Sequence, residues 1–145
     1  MLDFVFKNYT SQKSPNRKFF KDILDIGIEE LQIKDKNVEV SLNLVSEARI
    51  KELNKKHRHK NKATDVLSFP LNEKIESRLL LGDIFICLSF AKKQTKSENT
   101  SMEGKIAQLT VHGLLHLLGY DHEKSEADSN KMFSLENKIF KGLKL

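Results

Sequence analysis

Three histidines share one leucine-rich stretch, VHGLLHLLGYDH, at positions 112, 116 and 122. Neutral imidazole is the commonest protein ligand for metals, so the first question is whether one ion can be reached by all three. His112 and His116 are one helical turn apart, and on a helix both rings reach a single point. His122 cannot join them on a continuing helix. At roughly 100° per residue it points away from His116 and lies about 9 Å further along the axis. Gly119 resolves this, because glycine takes the left-handed conformation that ends helices at little steric cost. The spacing H-x-x-x-H-x-x-G-x-x-H thus reads as two ligands on one face, a turn, and a third ligand returning. Three neutral imidazoles suit one Zn²⁺ per chain and leave a fourth position for water, the form of a catalytic rather than a closed structural site. The bland alternative is three core histidines satisfied by hydrogen bonds. It suits a lone histidine better than this pattern.

The same spacing occurs in metzincin metallopeptidases, where a glutamate after the first histidine is the general base. Here that residue is Gly113, which has no side chain to take a proton. Glu103 is more than two turns away, and Glu123 is better placed to support the next helix start. The peptidase reading therefore weakens, and phosphate chemistry gains. A second chemical feature is the run KKHRHKNK, residues 55–62, with Lys55, Lys56, Arg58, Lys60 and Lys62. A guanidinium grips two phosphate oxygens in a bidentate fork, and lysines attract a nucleic-acid backbone without reading its sequence. Most charge runs are only solvated loops. This one is wholly basic and leads into a strand-like segment, so a phosphate-facing edge competes with that reading.

The elements that must position these groups are legible from periodicity. Leu2 to Phe6 alternates like a short strand, and Pro15 to about Ile33 has helical spacing with Ser14 as start signal. Val38, Val40, Leu42 and Leu44 alternate inward in a strand over 37–45, and Ser46 caps a helix to about Lys56. Val66 to Phe69 reads as a strand stopped by Pro70, and Asp83 to Leu88 as a central strand. Ser89 to Lys96 is helical. Thr100 with Glu103 opens a helix to Leu118, and Ser125 with Asp128 opens a last one through Phe140. In the histidine helix Val111, Leu114, Leu115 and Leu118 form the buried stripe, with His112 and His116 on the adjacent face. The order βαβαββααα predicts an α+β (mixed α/β) fold: one domain over residues 1–145, with a central sheet of roughly four strands and about five surrounding helices.

At 145 residues, 39% hydrophobic and 31% charged, the chain has the composition of a globular protein with a real core. Its net charge of +5 favours a polyanionic partner without establishing one. The longest apolar run, Leu79 to Leu88, is interrupted by Gly82 and Asp83, well short of the ~20 residues of a membrane span. MLDFVFKNYT shows no leader pattern, and the lone Cys87, in IFICL, reads as a small buried hydrophobe. A cytoplasmic location follows as the expectation.

Three blocks together resemble the YbeY family of bacterial rRNA-maturation endoribonucleases. They are HGLLHLLGYDH (112–122), LNKKHRHKNKATDVLSFP (53–70) and LGDIFI (81–86). The resemblance spans essentially the whole sequence, with His57 where tyrosine or phenylalanine is usual. It implies a four-stranded sheet with surrounding helices, zinc on His112, His116 and His122, and functional roles for Arg58 and His112. It also implies cleavage of single-stranded RNA in 16S rRNA 3′-end processing and quality control, with the ribosome or small subunit as partner. No membrane or DNA partner is expected. Asp121 is read either as orienting an imidazole from behind or as a helix-linking hydrogen bond, and Phe69 as core. Two other functions stay open: a ribosome-assembly RNA-binding factor with structural zinc, and a metal-dependent hydrolase of another substrate.

Overall fold

The computed structural model describes residues 1–35, 37–121 and 125–143. Over these the chain runs β1 (Leu2–Asn8), α1 (Arg17–Glu30), β2 (Asn37–Leu44), α2 (Glu47–Arg58), β3 (Val66–Ile75), β4 (Arg78–Ile86), α3 (Leu88–Glu98), α4 (Met102–Leu117) and α5 (Glu126–Leu143). The element order is the one the periodicities predict, an α+β fold with four strands and five helices among the described residues. The sheet order is β1-β2-β4-β3, with β1, β2 and β4 parallel and β3 antiparallel to β4.

Side chains alternate across a strand, and here each face of the sheet has its own cover. Val38, Val40, Leu42 and Leu44 of β2 join Leu81, Ile84 and Ile86 of β4 beneath Phe20 and Leu24 of α1 and Leu114 and Leu117 of α4. On the other face Leu67 of β3 and Cys87 pack with Ile50 and Leu53 of α2. Cys87 is thus the buried hydrophobe its neighbours suggest. Among the described residues no helix is long and apolar enough to cross a membrane.

The boundaries differ from the sequence reading in instructive ways. Pro70 does not stop β3. The register shifts between Pro70 and Glu73, Asn72 takes φ +47, and pairing with β4 resumes at Glu73 opposite Leu80. A proline is tolerated there because β3 is an edge strand with a bulge. β4 correspondingly begins at Arg78 rather than Asp83. The N-cap of α1 is Asn16, not Ser14, its Oδ1 accepting from the Phe19 N–H at 3.0 Å. That of α4 is Ser101, one residue after Thr100, its Oγ accepting from the Gly104 N–H at 3.0 Å. Ser46 and Ser125 do accept the hydrogen bonds expected of them.

Candidate functional site

α4 packs against the sheet and against α1, α3 and α5, which explains how a single helix can be so apolar. Leu114 and Leu117 enter the sheet core, while Val111 and Leu115 pack with Ile23 of α1 and Met132 and Ile139 of α5. Leu118, expected in the buried stripe, is only half-buried, and Leu117 faces the sheet instead. Gln108, His112 and His116, spaced by four, run along the side that stays unburied. The turn spacing brings the two rings together as predicted. His116 Nε2 lies 2.9 Å from His112 Nε2, and the ring centroids are 4.5 Å apart.

The helix then ends on the glycine. Gly119 has φ +93, its N–H donates to the His116 carbonyl at 3.0 Å, and the Tyr120 N–H donates to the Leu115 carbonyl at 3.1 Å. This pair of bonds is the Schellman motif, completed by Tyr120 packing in the cluster of Leu115. His122, the expected third ligand, lies outside the described residues, as does Glu123. Among the described residues no group of three or more His, Cys, Asp or Glu side chains is placed to hold a metal.

A cleft of about 520 Å³ opens over the histidine pair, walled by Arg58, by residues 64–68 entering and following β3, by Pro70 and by Asp121. The edge strand forms its second wall because it is tied to α4. Ser68 Oγ donates to the Gly113 carbonyl at 3.1 Å and Asn72 Nδ2 to the Leu117 carbonyl at 3.0 Å. Gly113 itself faces the sheet: an added Cβ would fall 2.8 Å from Ile84 Cγ2 and 3.2 Å from Ser68 Oγ. Glycine is therefore demanded by the close helix–sheet approach. The position has no room for a peptidase glutamate.

Arg58, the last residue of α2, reaches the cleft because the basic loop after it folds back. His59 takes the left-handed conformation at φ +58, the Lys60 N–H donates to the Asn54 carbonyl at 3.3 Å, and buried Asn54 donates through Nδ2 to the Lys62 carbonyl at 2.9 Å. His57 packs its ring on Phe69 at 4.8 Å, and Phe69 meets Phe85 at 5.6 Å. A ring at position 57 thus anchors the end of α2 to β3 beside the cleft, and Phe69 belongs to the packed cluster. Lys55, Lys56, Lys60 and Lys62 are exposed and flank the cleft without lining it.

One residue at the site was not anticipated. His112 Nδ1 is 3.1 Å from Glu136 Oε1, with the side chains 24% and 14% exposed. Glu136 lies on α5 between Met132 and Ile139, where helical spacing calls for an apolar residue. A carboxylate inside an apolar stripe is the signal that could have found it.

The family described as endoribonuclease YbeY matches residues 5–144. Relatives named endoribonuclease YbeY include one from Sulfurihydrogenibium, 46% identical over 129 residues (88% of this chain, 84% of the relative), and one from Aquifex aeolicus, 38% identical over 141 residues (94% and 93%). The solution structure of a Thermotoga maritima protein, 30% identical, superposes with a TM-score of 0.62 over 94% of this chain and 86% of its own. Matched almost end to end, and sharing its fold with a solved protein, the chain belongs to the endoribonuclease YbeY family.

Proposed function

We propose that the chain cuts single-stranded RNA in the cleft between α4 and β3, with a zinc ion held by His112, His116 and His122 and the phosphate gripped by Arg58. Endoribonuclease activity comes with the family, so the chain is an enzyme that hydrolyses RNA phosphodiester bonds. The observation that carries the finer reading is the convergence of His112 and His116 to 2.9 Å at the cleft that Arg58 also lines. The donor set fits the ion, since converging imidazole nitrogens are what a tetrahedral zinc site uses. When bound, zinc supplies a Lewis acid that lowers the pKa of water and stabilises phosphate charge.

The chain's own residues do the rest. Two nonbridging oxygens of the scissile phosphate accept parallel N–H bonds from Arg58, which steadies the charge that builds as the bond breaks. Lys55, Lys56, Lys60 and Lys62 hold the strand by its backbone outside the cleft, through attraction that fades with salt. Asp121 contributes a carboxylate to the wall. To the same reading we assign a 16S rRNA precursor on the small ribosomal subunit as substrate, a cytoplasmic setting, and residues 1–145 acting as one unit. The exposed basic loop would equally serve a ribosome-assembly factor that holds RNA without cutting it.

The test is metal content and cleavage of single-stranded and duplex RNA by wild type, Arg58→Ala and His112→Ala, with nuclease controls. Zinc in the wild type, cleavage of the single strand, and loss of cleavage in both variants are expected. Wild-type levels of cleavage in both variants would overturn the site assignment. A wild type that cuts nothing yet binds pre-ribosomal particles would favour the assembly factor.

A further inference from the structure

We infer that Glu136 is a positioning residue for the metal centre, holding His112 in the one tautomer that can ligate from its Nε2. The inference rests on the zinc reading above. A carboxylate only accepts hydrogen bonds, so the 3.1 Å contact with Glu136 Oε1 requires the imidazole proton on Nδ1. The lone pair of a neutral ring is then on Nε2, the atom that meets His116 Nε2 at 2.9 Å. The contact also restrains rotation of the ring about its side-chain bonds. Carboxylate–histidine–metal triads of this kind orient the ligand and raise its basicity.

The fold spends α5 on this placement. Met132 and Ile139, one turn before and one turn after Glu136, pack with Ala107, Val111 and Leu115 of α4 and set the rotation of α5. The carboxylate between them is 14% exposed, and a carboxylate so placed is costly unless it is partnered. A separate ion pair of α5, Lys138 Nζ with Glu30 Oε2 at 3.7 Å, joins it to α1. A pair that merely clamped α5 to α4 would show the same contact, so the test must read the metal.

Zinc affinity is measured by competition with a chromophoric chelator on the full chain as wild type, Glu136→Gln and Glu136→Ala. The tautomer of His112 is read by long-range ¹H–¹⁵N correlation on the same chains stripped of metal, at one fixed pH. Losing such a contact typically weakens metal binding about 10- to 100-fold. That loss is expected for Glu136→Ala, with Glu136→Gln between because its amide oxygen still accepts from Nδ1–H. The metal-free wild type should show the Nδ1–H tautomer and Glu136→Ala should lose it. Equal zinc affinity in all three chains would reduce Glu136 to a structural clamp and overturn the inference. If Glu136→Ala does not fold, Glu136→Leu, which is apolar like its neighbours on α5 and accepts no hydrogen bond, decides: wild-type zinc affinity with the Nδ1–H tautomer retained overturns it. A wild type that binds no zinc defeats the metal reading itself, while the tautomer measurement separately reports whether Glu136 sets the ring.

Discussion

Replacing Gly119 isolates the turn that sends the chain back toward the histidine pair. Its φ is +93, and an added Cβ would meet nothing within 4 Å. The cost of Gly119→Ala is therefore backbone conformation alone, with no clash and no cavity. An L-residue held in the left-handed region costs about 1–2 kcal/mol. For a chain of 145 residues, whose unfolding entropy is about 0.3 kcal/mol/K, that lowers the melting temperature by roughly 3–7 °C. Asparagine tolerates the region better, so Gly119→Asn should lose about half as much. The melts are run on metal-free chain, so that ligand stabilisation does not mask the backbone term. Zinc affinity is then measured on the same variants, and the order glycine, asparagine, alanine is expected again. Alanine melting with the wild type, or asparagine and alanine falling equally, would refute the claim that a positive φ is what the position requires.

Three further outcomes follow from the site. Arg58→Ala should leave stability within about 0.5 kcal/mol, since the side chain is exposed. It should still cost about 10- to 150-fold in RNA cleavage, the worth of charged hydrogen bonds of about 1.5–3 kcal/mol. Arg58→Lys, which keeps the charge but not the fork, should recover only part of that loss in the same assay. Gly113→Glu should not create a peptidase. It drives Cβ to 2.8 Å from Ile84 Cγ2 and buries a carboxylate, so a loss of about 3 kcal/mol or more by denaturant unfolding is expected. Serine at positions 55, 56, 60 and 62 together should flatten the salt dependence of RNA binding. If each lysine meets one phosphate, the log–log slope falls by about 3, at roughly 0.7 per phosphate on single strands. An unchanged slope removes these lysines from the RNA path.

What the sequence made legible was whatever lay close together along the chain. The inward alternation of Val38, Val40, Leu42 and Leu44, the four-residue step from His112 to His116, and the helix end at Gly119 are local patterns, and each appears in the fold as read. Capping at α1 and α4 moved by one or two residues because Ser14, Asn16, Thr100 and Ser101 are all competent caps, and packing chooses among them. Pro70 misled because a proline reads as a stop until β3 is known to be an edge strand. Gly113 was legible as a missing base. Its other meaning depends on Ile84 and Ser68, which only the sheet brings against it. Glu136 was missed because its partner lies 24 residues earlier on another helix.

The most direct measurement of the proposed chemistry is cleavage of a single-stranded RNA by the wild-type chain before chelation, after chelation and after zinc is restored, beside His112→Ala carried through the same steps. The site described here requires cleavage to vanish on chelation and return with zinc in the wild type, and to stay absent in His112→Ala throughout. Cleavage that survives chelation, and persists undiminished in His112→Ala, would contradict it.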